Sequence, residues 1–325
     1  VHYLDAPGQR AASSVAAGVV NPLTGRRFHL SWRMGELLEA ARDLYPRLER
    51  ELGEPLWYDL PLLRTLHDAG NRNDWSLREA DDTYLPYLVT DEPPVGRLVE
   101  LMRPVYAFAG IRQTARVDLP RLVGLWRDRL RRNGLITEST VNYDRLRPTG
   151  TGWTYTGRAF DRVICCEGWR LRFNPFFGHL PHRGNKGEIL RMRTPTLPQI
   201  ERMVKNRIFL VPQTDGSYWV GATNRNQFPH DEPTEDGRGW LTDQLDRVLR
   251  VPYRIDAHES AVRPTTKDRR PLVGEHPGQS GLYIFNGLGS KGASLAPLCS
   301  KWLLELLEYR RAPPAEVNVA RFLTN

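Results

Sequence analysis

Two kinds of chemistry lie close together in residues 261–297, AVRPTTKDRRPLVGEHPGQSGLYIFNGLGSKGASLAP. Arg263 offers a planar, permanently charged fork that receives a carboxylate through two parallel hydrogen bonds. The alternative for it is an ion pair within its own loop, with Asp268. Further on, Gly287, Gly289 and Gly292 let backbone N–H groups approach a ligand closely, and the helix that follows presents its positive end to an electron-rich group. The pattern predicts a loop carrying Arg263, a strand over 282–285, a glycine turn, and a helix running through Leu307. A second run, residues 11–28 (AASSVAAGVVNPLTGRRF), has no large side chain until Leu23. Side chains that small cannot fill a core, so a bound group is expected to occupy the space beside them.

The run R-P-x-T-x-D-x-x-P-x-x-G from Arg263 to Gly274, followed by the glycine turn and Leu295-Ala296-Pro297, resembles the C-terminal flavin segment of the D-amino-acid oxidase superfamily. Within it, the chain is most similar to glycine oxidase and related amine-oxidising flavoproteins. The resemblance is specific at 11–28, 115–120 and 261–297. It implies FAD as cofactor. Asp5, at the end of the strand-like residues His2 to Leu4, would accept the adenosine ribose hydroxyls. Ser13, Ser14, Ala17, Gly18 and Val19 would pass the pyrophosphate and run under the isoalloxazine ring. The Val117 backbone would meet the adenine, and Gly168 would lie beside the cofactor. Gly287, Leu288, Gly289, Ser290, Lys291, Gly292, Ala293 and Ser294 would line the reactive edge. Arg263 would hold a substrate carboxylate, and Phe209 stands where glycine oxidase carries an aromatic hydroxyl toward its substrate. Such flavoproteins begin with a strand, a G-x-G-x-x-G turn and a helix, roughly 30 residues in all. This chain begins at the second strand, and the expectation is that the first βα unit is encoded upstream of Val1.

The implied fold is α/β. A Rossmann-like FAD-binding domain, its first βα unit missing, is assembled from 1–53, 115–170 and 258–325. Residues 54–114 and 171–257 form an inserted, mainly antiparallel substrate-binding domain. The implied reaction is oxidation of a small amine or amino acid by hydride transfer to flavin, giving an imine that hydrolyses, with oxygen or another electron acceptor reoxidising the flavin. Two other readings remain open: a tRNA-modifying flavoenzyme, and a non-catalytic remnant without its phosphate loop.

The bulk numbers agree. The chain has 325 residues, 40% of them hydrophobic, enough for one large domain or two interleaved ones. The net charge of +8 comes almost wholly from arginines interleaved with acids, as in RDLYPRLERELGE (42–54) and WRDRLRR (126–132). Those are solvated faces of amphipathic helices, and nucleic acid is not expected as a partner. Neither a membrane span nor a signal pattern is present, and a cytoplasmic protein is expected. Cys165, Cys166 and Cys299 suit neither a disulfide framework nor zinc, and Pro181 breaks the spacing of His179 and His182, so no metal is expected.

Several elements must position these residues. Apolar spacing predicts a helix over 31–52 with Ser31 as cap and Gly53 as stop. Asp118 and Pro120 open a second helix that ends near Gly134. Residues 135–141 and 153–158 are expected to form a small hairpin, Val163 to Cys166 a strand, and IFLVPQTDGSYWVGATN a hairpin turning at Asp215 and Gly216.

Overall fold

The computed structural model describes residues 1–91, 93, 96, 98–195 and 201–322. Its largest element is an eight-stranded sheet in the order Arg254–Thr266, His182–Arg193, Tyr218–Gly221, Phe209–Pro212, Met203–Lys205, Leu62–Leu66, Ala107–Ile111 and Leu88–Val89. Neighbours are antiparallel except Met203–Lys205 against Leu62–Leu66. Period-two alternation gives the sheet two distinct faces. On one, Leu190, Met192, Val204, Leu210 and Val220 pack against Leu241 and Leu245 of the helix Glu235–Asp246. On the other, Ile189, Met203, Val211 and Trp219 meet Ala17, Leu23 and Phe28. Trp219 Nε1 donates to Val15 O at 2.8 Å, so the small-residue run is fastened to this second face.

The longest pairing runs from His182 opposite Thr266 to Arg193 opposite Arg254, with one bulge at Arg191/Met192. It corrects the expectation of a loop around Arg263. Ile255, Val262, Thr265 and Thr266 favour extended backbone, and Pro264 is tolerated because this strand is the sheet's edge, where an N–H on the outer side is not needed. The boundary expected at 258 therefore falls inside a continuous strand.

The α/β character is carried by Val163–Cys165, which lies parallel to Leu282–Asn286. That strand leads through the glycine turn into the helix Gly292–Tyr309. Leu295, Leu298, Cys299, Trp302 and Leu306 of this helix pack on Val273 and Tyr283 and on Leu37 of the helix Met34–Leu52. A second parallel pair, Tyr3–Leu4 with Ile136–Thr137, forms its own two-stranded sheet. Among the described residues, Tyr3–Leu4 and Val163–Cys165 each have a strand neighbour on one side only.

Smaller differences have local causes. Helix Met34–Leu52 ends at Gly53 with φ +73°, as expected, but Arg33 takes the cap position, with φ +48° and no side-chain cap bond. Ser31 lies too far upstream for that role; its hydroxyl donates to Asn21 O and accepts from Lys291 Nζ. Residues 136–137 pair with the first strand, so Trp153–Tyr155 pairs instead with Leu146–Pro148 and Arg158–Phe160. Asp118 caps the helix Leu119–Arg132 by accepting from Arg121 N, and the hairpin at Asp215 and Gly216 is as expected. Among the described residues, no helix is long and apolar enough to cross a membrane, and no group of His, Cys, Asp and Glu could hold a metal ion.

One polar cluster is sealed inside the fold. Lys186 and Glu188, both wholly buried, face the helix Glu235–Asp246. Lys186 Nζ lies 3.2 Å from Glu188 Oε1, while Glu188 accepts from Thr234 N and Thr234 Oγ1, each at 2.8 Å. Gly237 makes room, since a Cβ there would stand 2.1 Å from Glu188 Oε2. Burial pushes the Glu188 carboxyl up, but the bonds from Thr234 and the charge of Lys186 outweigh it and hold the group below the ordinary glutamate range. Glu188→Ala would leave a buried lysine without its counter-charge, a loss of about 3–5 kcal/mol. Denaturant unfolding checks this, and a loss under about 1 kcal/mol would contradict it. Because the folded pKa is depressed, the cluster's stability is full above the unfolded value of about 4.3 and is lost as pH falls through the folded one. Glu188→Gln should lack that part of the acid sensitivity in melts taken across the same range.

Candidate active site

Arg263 projects from the edge strand onto the face that receives the small-residue run. Its Nη1 donates to Asn185 Oδ1 at 2.6 Å and to Thr223 O at 3.3 Å. The guanidinium lies over Gly187, where a Cβ would stand 2.0 Å from Nη2. Asn185 cannot turn away, because its Nδ2 donates to Asn224 Oδ1 at 2.5 Å and Asn226 Oδ1 at 2.8 Å. The alternative of an ion pair with Asp268 is corrected: Asp268 is held by Arg321 Nε at 2.9 Å. Among the described residues no carboxylate pairs with Arg263. Burial lowers its pKa from the ordinary arginine value, yet an arginine remains charged at any physiological pH. The arrangement is a half-buried cation held by neutral oxygens, which leaves its charge for an anionic ligand.

The glycine turn is tied to the same strand. Pro264 O, on the outer edge, accepts from Gly289 N at 2.9 Å. Gly287 and Gly289 have φ of +74° and +56°, which a side chain would strain. Asn286 completes the turn: its Oδ1 accepts from Gly287 N at 2.7 Å and its Nδ2 donates to Gly168 O at 3.1 Å. Gly168 is thereby brought beside the turn. A Cβ at Gly292 would meet nothing nearer than Leu288 at 3.9 Å, and one at Gly289 nothing nearer than Thr265 at 3.5 Å. At these two glycines a Cβ would make only ordinary van der Waals contacts, at the start of a long helix whose N-terminal end favours an electron-rich group. Ser290 is exposed. Ala293 and Ser294 turn inward; Ala293 O accepts from Tyr45 Oη at 2.7 Å and Ser294 Oγ donates to Lys291 O.

Lys291 bridges the turn to the small-residue run, donating to Ser31 Oγ at 3.1 Å and Thr24 Oγ1 at 3.4 Å. Burial, then the charges of Arg270 and Arg269, lower its pKa. Within the run, Ser13 and Ser14 sit in the helical turn Ala12–Val15, half-buried. Ala17 is buried against the sheet, and Val19 pairs with Arg116 in a short strand. Gly18 has another explanation than a ligand. With φ +67°, its absent Cβ would stand 1.8 Å from Val117 O, and Val117 N donates to Gly18 O at 2.9 Å. Gly18 and Val117 are thus packed on each other, and Val117 is wholly buried.

Asp5 Oδ2 is held by Arg127 at 2.5 Å. Nearby, His2, Leu4, Thr137, Asn142, Arg145 and Tyr155 line a cleft of about 360 Å³. Phe209 lies on the same face as Arg263 but in register with Gly221 and Ile189, four residues along from Asn185. Sequence reasoning missed Asn185, Gly187, Asn224 and Asn226. The alternation of Asn224 and Asn226 was a signal, but their partner is set by pairing alone.

The residues present fit FAD: a glycine turn that opens a helix is tied to the strand of Arg263 by Gly289 N to Pro264 O and to the small-residue run by Lys291, and an acid, Asp5, follows the first strand. Glycine oxidase from Geobacillus kaustophilus is 29% identical over 325 aligned positions, covering 91% of this chain and 83% of its own. The structure of iminodiacetate oxidase from Chelativorans sp. superposes with a TM-score of 0.78 at 21% identity, covering 98% of this chain and 91% of that one. A tRNA 5-methylaminomethyl-2-thiouridine biosynthesis bifunctional protein, MnmC, from Marinobacter nauticus is 29% identical over 151 positions, 43% of this chain and 22% of its own. The profile of the FAD dependent oxidoreductase (DAO) family matches residues 4–306, and the chain belongs to that family.

Proposed function

We propose that the protein oxidises the C–N bond of a small amine or amino acid that carries a carboxylate. The observation that carries this reading is Arg263, a half-buried guanidinium without a carboxylate partner among the described residues, on the strand that holds Gly289. Arg263 receives the substrate carboxylate through its remaining N–H groups, and Asn185 and Thr223 O keep the fork from swinging. Bound at its carboxylate, the substrate turns its α C–H toward the glycine turn. FAD bound there would supply the acceptor for the hydride leaving that carbon. The imine product hydrolyses in water, and oxygen or another acceptor takes the electrons. Positioning supplies the protein's share, so no side-chain base is required.

On this reading Gly287, Gly289, Gly292 and Lys291 face the reactive edge, Ser13 and Ser14 the pyrophosphate, and Asp5 the ribose. The eight-stranded sheet forms the substrate-binding domain, and the parallel pairs with their helices form the FAD-binding domain. A second reading, a flavoenzyme acting on an amine within RNA, draws on the charge of +8 and the similarity to the tRNA-biosynthesis protein. Its sign would be RNA binding that weakens steeply with salt.

Arg263→Ala is expected to raise KM for carboxylate substrates by a factor worth about 2–5 kcal/mol while flavin content is retained. Unchanged kinetics would remove Arg263 from the substrate site. Anaerobic mixing with a panel of amines and amino acids should bleach the flavin with at least one carboxylate-bearing amine. Bleaching by none of them would end the oxidase reading.

A further inference from the structure

The face of the sheet that carries Arg263 carries two more cations. Lys205 is the register partner of both Phe209 and Arg64, so the three stand side by side in one row with Ile189 and Gly221. Lys205 Nζ lies 4.3 Å from the Phe209 ring centroid and donates to Arg207 O at 2.9 Å. Arg64 Nη2 donates to Gly25 O at 3.1 Å, and its guanidinium stands 5.0 Å over the Phe28 ring. Both cations are half-buried, and among the described residues no carboxylate pairs with either. Among the described residues, their partners are rings and carbonyls.

That is a costly arrangement. Two like charges side by side, partly out of water, repel each other and each loses hydration. Burial, then the charge of Arg64, pushes Lys205 down to about 7; burial pushes Arg64 down to about 10. The opposite face of the same sheet shows the structural solution to a buried lysine: Lys186 is given Glu188. On the other face Glu259 is taken by Arg191, and among the described residues no acid pairs with Arg64 or Lys205, which leaves their counter-charge for a ligand to supply.

We propose that Arg64 and Lys205 form a second anion receptor, and that the preferred substrates are amines bearing two carboxylates, one held by Arg263 and the other by this pair. The proposal rests on the reading of Arg263 as the receptor of the first carboxylate. The spacing agrees with it. From Gly187, under the Arg263 guanidinium, to Phe209, under Lys205 Nζ, is two strands across and two residues along, about 12 Å by ordinary sheet dimensions. Ion-pair contacts at each end take up about 4 Å apiece, leaving about 4–5 Å between the carboxyl carbons, a spacer of about two or three atoms. Aspartate and glutamate have such spacers.

The test is binding of glutarate, which has two carboxylates and no amine, against butyrate, which has one, measured by calorimetry on the flavin-loaded protein. Glutarate is expected to bind at least about tenfold more tightly than butyrate, a preference worth about 1.4 kcal/mol. Lys205→Met and Arg64→Met should each lower that ratio about tenfold, and Lys205→Arg, which keeps the charge, should preserve it. Equal affinities in the unaltered protein, or a ratio that Lys205→Met leaves intact, would overturn the proposal. The binding assay needs no turnover. Glutarate binding that depends on Lys205, with no flavin bleaching by aspartate, glutamate or alanine, would end the oxidase reading and leave the receptor standing. Bleaching by alanine with no preference for glutarate would do the reverse.

Discussion

The site depends on one backbone hydrogen bond at the edge of a sheet. Gly289 N donates to Pro264 O, and through that bond the turn at the head of the Gly292–Tyr309 helix is fixed to the residue after Arg263. An edge strand offers outward carbonyls that need a partner, and here the partner is the glycine turn. Proline suits the position twice over: it removes an N–H that would otherwise be left unpaired on the open edge, and it stiffens the backbone beside the arginine. Arg263 and the glycine turn therefore share one frame, although they come from a strand and a helix start that pack in different layers.

The same sheet carries cations on both faces, and on the second face Arg191 is paired with Glu259 at 3.0 Å. Toward the helix Glu235–Asp246 it encloses Lys186 with Glu188, a neutralised pair that cross-links strand and helix. Toward the small-residue run it leaves Arg263, Lys205 and Arg64 held by oxygens and rings. Alternation along extended strands makes this possible, since neighbouring residues such as Asn185 and Lys186 serve opposite faces. An internal ion pair fixes architecture and satisfies itself, whereas cations without a carboxylate partner keep their field for something that arrives later.

Much of this was legible in the sequence where chemistry and local geometry coincide. The glycine turn, the strand before it and the helix after it follow from residue type alone, as do the Asp118 cap and the turn at Asp215 and Gly216. What could not be read were properties set by partners distant in the chain. Arg263 was expected on a loop because prolines and charges surround it; pairing with His182–Arg193 makes it strand. Gly18 looked like room for a ligand, but Val117 O fills that space. Asn185 gave no sign of its task, which exists only because Asn224 and Asn226 hold its amide and register places it opposite Arg263.

The central claim, that the arginine and the flavin cradle form a single site, is tested most directly by titrating the flavin-loaded protein with acetate or benzoate and following the visible absorbance of the flavin. A carboxylate held by Arg263 should change the flavin spectrum in a saturable way, and the change should disappear in Arg263→Ala at the same concentrations. A spectral change of equal size and affinity in Arg263→Ala would place the carboxylate elsewhere and contradict the account.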